Sequence, residues 1–321
     1  MRYMTSFAAG LAMVLSACAG SNIGTLTGRA VGPPATSIDA QLTRVIGSHG
    51  TGPGRFVSPS AVSVNPMGYV YVADTGNDRV QMLGSEGEYV REIGGFGWDS
   101  RQFNAPRGIS AASSLDVWVA DTQNRRIAHL DSRLNWLGVV DRDVSDGESR
   151  EIGYPAGVAM SEDGWLWITD RDTDRVRRLS PYGDDADPMS ARTSVSNLTD
   201  PGGLAIGPGG IVVVADTGAD RLVFYDQFGN WLTTWGEGVL SRPEGVAVSR
   251  YGDIVVADTG NNRVLLLNRL SRIVGEIGAS DFSPTVFREP RGVAVDGRGR
   301  LWVADTGNHR ILLFTLQRST D

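Results

Sequence analysis

Six aspartates in this chain are each followed, five residues later, by an arginine: Asp74 and Arg79, Asp121 and Arg126, Asp170 and Arg175, Asp216 and Arg221, Asp258 and Arg263, Asp305 and Arg310. A carboxylate and a guanidinium so close together could serve acid–base chemistry or grip a charged substrate. A catalytic pair is needed once, however, and this one recurs inside near-copies of one stretch: VADTGNDRV at 72–80, VADTQNRRI at 119–127, VADTGADRL at 214–222, VADTGNNRV at 256–264 and VADTGNHRI at 303–311, with ITDRDTDRV at 168–176 the most divergent. Such repetition points to a local structural task. The Asp is expected to head a turn and accept hydrogen bonds from backbone amides two and three residues on. Gly or Asn would supply left-handed backbone, and the Arg fork would hold the carboxylate. All twelve residues are therefore read as structural turn anchors.

The remaining chemistry-bearing residues are few. All 30 basic residues are Arg, which excludes a Schiff-base lysine, a phosphate-loop lysine and a Ser–Lys nucleophile pair. The three histidines, His49, His129 and His309, fall in three different repeat positions, so no convergence at one metal centre is expected. His129 replaces Met82, Phe224, Leu266 and Leu313 of other repeats, which suits packing. Neither a metal nor another cofactor is expected. The formal charge of -7 disfavours nucleic acid as a partner.

The elements that would position these residues follow from the spacing. Pro59, Pro106, Pro155, Pro201, Pro243 and Pro290 each precede their Asp by 15 residues, while the Asp-to-Asp periods run 47, 49, 46, 42 and 47. The Pro-to-Arg unit is thus constant in length, and insertions fall outside it. A period of this size marks a propeller or solenoid. After each Pro comes a short strand with only Ser or Ala at the fourth position (Ser63, Ser110, Ala159, Ala205, Ala247, Ala294), as a crowded axis would require. A second strand ends at the Asp and carries Tyr71, Trp118, Trp167, Val213, Val255 or Trp302 three residues before it. A third starts at the Arg, and a fourth has the pattern YVREIG (89–94), WLTTWG (231–236) or IVGEIG (273–278). Four strands per unit make a propeller blade. The sixth unit lacks its fourth strand, and LTRVIG (42–47) matches the missing pattern, with Gly47 lying 12 residues before Pro59 as Gly94 does before Pro106. The fold expected is therefore all-β: a six-bladed β-propeller of four-stranded antiparallel blades, the last closed by the N-terminal strand. The segment 180–200, after the third unit, does not fit the fourth-strand pattern cleanly.

The chain's single Cys, Cys18, ends the run LSAC behind Arg2 and the short apolar stretch Phe7–Ala17. This resembles the lipobox of bacterial lipoproteins, whose Cys is acylated. The resemblance implies a signal peptide over 1–17, a Gly/Ser/Pro tether over 18–37 and a propeller over 38–321, held outside the cytoplasm by lipid on Cys18. Ala19 in place of an Asp favours the outer membrane, facing the periplasm, in a Gram-negative host.

The pattern P-x-G-V-A-V followed by V-A-D-T-G-N-x-R-[IV] resembles the NHL repeat, over about residues 40–317. The resemblance implies a six-bladed ring. Some six-bladed relatives of that family are enzymes that hold a divalent metal through histidines of several blades.

Functional residues are expected where the repeat positions disagree. The residue after each Pro is Ser60, Arg107, Ala156, Gly202, Glu244 or Arg291, on the face where the channel opens. Arg107, Glu244 and Arg291, with Arg171 of the divergent third turn, are the candidate ligand-binding residues, and Glu244 is expected to pair with Arg291 in the absence of ligand. The leading reading is a non-enzymatic binding or scaffold module for a protein, peptide or glycan. The alternative is a metal-assisted lyase or lactone hydrolase acting at the central opening. The sequence marks no catalytic residue.

Overall fold

The computed structural model describes residues 32–143, 150–180, 198–278 and 286–320. The proposed signal peptide and Cys18 lie outside them.

Four-stranded antiparallel sheets repeat around a central axis. Blade one runs Ala61–Val64, Val70–Asp74, Arg79–Leu83 and Tyr89–Gly94. Blade two follows with Pro106–Ser110, Asp116–Asp121, Arg126–Asp131 and Trp136–Val140. Blade four comprises Leu204–Ile206, Val212–Asp216, Arg221–Tyr225 and Trp231–Trp235, and blade five Pro243–Val248, Ile254–Asp258, Arg263–Leu267 and Ile273–Ile277. Blade three shows Pro155–Met160, Leu166–Asp170 and Arg175–Leu179 among the described residues. Blade six takes Pro290–Val295, Arg300–Asp305 and Arg310–Ser319 from the end of the chain and its outer strand, Ser37–Ile46, from the beginning. The closing ladder runs from Ser37 opposite Ser319 to Ile46 opposite Ile311.

The packed chain begins earlier than position 38. Ala35 is buried, the Asn268 side chain of blade five donates to its carbonyl at 2.8 Å, and the Thr36 amide donates to Ser319 at 2.9 Å. Residues 33–37 are therefore docked, not a free continuation of the tether.

The core is divided among the blade interfaces. Each buried cluster joins one blade to the next: Tyr71 and Met82 meet Phe103 and Val117, Trp118 meets Val158 and Ile168, and Trp302 meets Phe56, Val62 and Val72. The large residue three before each turn Asp is thus the side chain that fills the gap between sheets. The axis is crowded at the second position after the Pro as well, which is Gly in five of the six blades. A Cβ on Gly292 would lie 2.6 Å from the Ala61 Cα of blade one, so only Gly lets the inner strands approach this closely.

Two hydrogen bonds repeat at the seams. In five blades the Thr after the turn Asp donates to the carbonyl of the next blade's Pro: Thr75 to Pro106, Thr122 to Pro155, Thr217 to Pro243, Thr259 to Pro290 and Thr306 to Pro59, all within 2.6–2.7 Å. Four residues after the Asp, the side chain accepts from the amide that precedes the next blade's Pro. Asp78 takes Ala105, Asp174 takes Asp200, Asp220 takes Arg242, Asn262 takes Glu289, and His309 takes Ser58 through Nδ1 at 2.9 Å.

His309 makes the last of these, between blade six and blade one, sensitive to acid. Its Nδ1 must be unprotonated to accept the Ser58 amide. Burial lowers its pKa, the adjacent His49 ring at 4.6 Å and Arg288 add to this, and Asp74 opposes them. The unfolded imidazole takes up a proton near its ordinary value of 6.5 while the folded one resists. This contribution is therefore fully present above about pH 6.5 and is lost as pH falls through the interval down to the depressed folded value. His309→Asn retains an acceptor that does not titrate. Denaturant unfolding at pH 7 and pH 5 should show a smaller acid loss for the variant than for the parent, by about 1 kcal/mol, the worth of one hydrogen bond. Equal losses in the two proteins would refute the assignment.

Candidate functional site

The recurring Asp is built into each blade more deeply than a turn cap would be. It is fully buried in all six. Its Oδ1 does not generally cap the turn that follows. It accepts the amide 17 residues earlier, on the loop entering the same blade: Val57 for Asp74, Asn104 for Asp121, Thr199 for Asp216, Ser241 for Asp258 and Arg288 for Asp305, at 2.6–2.8 Å. Asp170 takes Tyr154 at 3.1 Å, and it alone also caps locally, from the Asp172 amide. In five blades the turn is a single 3-10 turn, and in all six its left-handed residue is not the Gly or the first Asn but the one after them, Asp78, Arg125, Asp174, Asp220, Asn262 or His309. The Gly serves close approach instead. In blade five the Gly260 amide donates to the Ser241 carbonyl at 2.8 Å, and a Cβ there would crowd that same carbonyl.

In five blades the Arg closes this arrangement through Nε to Oδ2 of the Asp: Arg79–Asp74, Arg126–Asp121, Arg221–Asp216, Arg263–Asp258 and Arg310–Asp305, at 2.7–2.8 Å. Blade three departs from the spacing. Arg175 makes no ion pair with Asp170, and Arg177, two residues further along the strand, holds Oδ2 at 2.9 Å. Burial pushes the Asp121 and Asp216 carboxyls above the usual range, against the amide and Arg bonds that favour the anion.

The same loops carry the variable residues to the axis. Each enters its inner strand at the Pro, and the next residue faces the opening. Arg107, Glu244 and Arg291 come together there with Ser60, Ala156 and Gly202, and Arg171 reaches in from the blade three turn. They surround a small space of about 30 Å³ at the mouth. In a ring of six, blade two stands opposite blade five and blade three opposite blade six. Arg107 therefore faces Glu244 across the opening, and the charges of Arg171 and Arg291 both act on Arg107.

These four side chains are half-buried and unequally engaged. Arg171 replaces the seam Thr of the other blades and grips the Asp200 carboxylate with both Nε and Nη2. Burial works to lower its pKa, but that grip and the charge of Glu244 outweigh it and raise the value. Arg291 extends Nη2 to Glu289, 3.5 Å away, while its Nε is buried with no hydrogen-bond partner. The expected Glu244–Arg291 ion pair does not form, because Arg291 turns toward Glu289 on its own entering loop. Among the described residues neither Arg107 nor Glu244 has an ion-pair partner within bonding distance. Arg107 is pushed below the usual Arg range by burial and by Arg171 and Arg291, with Glu244 and Asp200 offsetting part of this. It stays charged, as Arg does in proteins, so the strain appears as repulsion among guanidiniums. A bound anion would relieve that repulsion and satisfy free donors, which is the chemistry this opening offers.

Sequence spacing placed the histidines apart, yet His49 and His309 meet at the seam of blades six and one. No sequence signal marks that contact, because ring closure creates it. His129 stacks on Trp118 at 3.8 Å and bonds Asp116 through Nε2 at 2.7 Å. Among the described residues no group of three or more His, Cys, Asp and Glu is placed to hold a metal ion.

Comparison with known proteins agrees with this architecture. The family model for the NHL repeat matches residues 240–265 and 287–314, in blades five and six. No curated protein sequence matches the chain. Among solved structures, a gluconolactonase of Xanthomonas campestris is 16% identical with a TM-score of 0.63, over 90% of this chain and 100% of that one. An auxiliary nutrient binding protein of Bacteroides thetaiotaomicron is 13% identical with a TM-score of 0.64, over 87% of this chain and 77% of that one. Virginiamycin B lyase of Staphylococcus aureus, in a catalytically inactive form with quinupristin, is 14% identical with a TM-score of 0.56, over 87% and 99%. At such identities the likeness is one of fold, shared by binding proteins and enzymes alike. The chain is a six-bladed β-propeller whose fifth and sixth blades match the NHL repeat.

Proposed function

We propose that this protein is a non-enzymatic binding propeller that captures an acidic group of a protein, peptide or glycan partner at its central opening. The observation that carries the reading is the convergence of Arg107, Arg171 and Arg291 from three blades, with Arg107 unpaired and the Arg291 Nε buried without a partner. Arg107 and Arg291 clamp the oxyanion by bidentate hydrogen bonds. Arg171, fixed by Asp200, contributes charge, and Glu244 opposite Arg107 selects against groups of excess negative charge. The metal-dependent lyase or hydrolase reading draws on the relatives' chemistry alone. It lacks a convergent ligand set among the described residues, and the two histidines that meet sit at a blade seam where His309 Nδ1 is already occupied.

Arg107→Ala combined with Arg291→Ala tests the reading. Neither Arg carries a seam bond, so the melting temperature should stay within about 2 °C, while capture of an acidic partner, measured by crosslinking pull-down from the native host, should fall at least about tenfold. Unchanged capture by the folded variant would move the site elsewhere on the ring.

The propeller is displayed outside the cytoplasm by lipid on Cys18, facing the periplasm from the outer membrane in a Gram-negative host. The support is the LSAC context of the chain's single Cys. Cys18→Ala should leave an unprocessed or mislocalised precursor on fractionation. Normal processing with unchanged membrane association would refute the anchor.

A further inference from the structure

On the face opposite the arginine-lined mouth, the groove between blades five and six opens into a cavity of about 290 Å³. Its wall is apolar where the closing strands cross blade five: Ile38, Val255, Val295 and Leu316 line it. Arg250 and Arg298 stand among the residues that enclose it, and Asp253 is buried in it.

Asp253 is only half satisfied. Its Oδ2 takes Nε of Arg318 at 2.7 Å, and its Oδ1 is buried with no hydrogen-bond partner. A buried carboxylate oxygen without a donor is costly and calls for one. The repeat shows where the donor is missing. Asp116 holds the equivalent position in blade two, five residues before the turn Asp, and there His129 supplies the partner at 2.7 Å. In blade five the position of His129 is taken by Leu266, which offers none. The Arg318 guanidinium is occupied otherwise: it stacks on Tyr251 at 4.9 Å and donates through Nη2 to the Pro33 carbonyl. On the same Tyr251 ring rests Arg250 at 4.8 Å, and the Arg298 side chain is 67% exposed, with its nearest acid, Glu86, 3.9 Å away.

We propose that this groove is a second binding site, for a small carboxylic acid that carries an α-amino or α-hydroxyl group and an apolar side chain. The α-donor meets Oδ1 of Asp253, the side chain packs on Val255, Val295, Ile38 and Leu316, and the carboxylate turns outward to Arg250 and Arg298. Three features of the groove motivate this: an unmet buried acceptor on a lining residue, an apolar wall and cations at the open side. Because Ile38, Leu316 and Arg318 belong to the closing strands, an occupant also braces the ring and raises its melting temperature by mass action. This site is independent of the arginine-lined mouth.

Calorimetric titration of the full chain with L-leucine, L-2-hydroxyisocaproate and isocaproate, paired with thermal unfolding, tests it. Leucine, the hydroxy acid or both should bind and raise the melting temperature, and isocaproate, which lacks the donor, should bind roughly tenfold more weakly. Binding of leucine alone identifies an amino acid site, and binding of the hydroxy acid alone a hydroxy acid site. Val295→Trp, which fills the cavity, and Arg298→Ala, whose mostly exposed side chain gives up a long 3.9 Å contact with Glu86, should each weaken the interaction. The Arg107→Ala/Arg291→Ala variant should bind as the parent does, which separates this site from the mouth. No binding of any of the three acids, equal binding of isocaproate, or full binding by folded Val295→Trp and Arg298→Ala would overturn the proposal.

Discussion

Removing residues 38–47 is expected to cost at least about 4 kcal/mol, most of the 5–15 kcal/mol that holds a typical domain together. The loss has three sources. Eight register pairs with Arg310–Ser319 disappear, leaving the third strand of blade six as an open edge. Ile38 and Ile46, each 6% exposed, leave the clusters that join blade six to blade five and to blade one. The ring then opens at one seam, so the bonds from Thr306 to Pro59 and from His309 to Ser58 lose their geometric support. Deleting residues 19–31 removes none of these contacts and should leave the unfolding midpoint within about 0.5 kcal/mol of the parent. A deletion through residue 36 should fall between the two, because Ala35 and the carbonyls of Pro33 and Ala35 are engaged. Urea unfolding of the three proteins decides the matter, and equal midpoints would show that the N-terminal strand does not close the ring.

Asp258→Ala should cost about 3–5 kcal/mol, the range for breaking a buried, hydrogen-bonded ion pair at one partner. The substitution strands three donors at once: the Ser241 amide, the Asn261 side chain and Nε of Arg263. The matching test lies in blade three, where spacing and geometry part. Arg175 stands in the repeat position yet makes no ion pair with Asp170, so Arg175→Ala should change stability by less than about 0.5 kcal/mol. Arg177, which holds Asp170 at 2.9 Å, should cost about 2 kcal/mol or more when replaced by Ala. Equal effects of the two Arg substitutions would mean that repeat position, not the contact, governs the role.

These two experiments separate what the residues spell out from what the ring adds. The sequence alone determined the strand pattern, the number of blades and the closure of the last by the first segment. Strand alternation, the constant 15-residue Pro-to-Asp spacing and the Gly-to-Pro distance are local, and each is written within one repeat. It also marked Arg107, Glu244 and Arg291 as one variable position, and the fold brings them to one opening. Tertiary structure decided the partners. The turn Asp bonds an amide 17 residues upstream, because the entering loop folds back across the turn and excludes water from it. Thr75, Thr122, Thr217, Thr259 and Thr306 read as ordinary turn residues but fasten each blade to the next. Arg171 exchanged that task for an ion pair with Asp200, and Arg177 displaced Arg175. Contacts between blades depend on the rotation from one sheet to the next, which no residue within a single repeat encodes. Hence the meeting of His49 with His309, the turn of Arg291 to Glu289 and the unmet oxygen of Asp253 emerge only when six blades close around one axis.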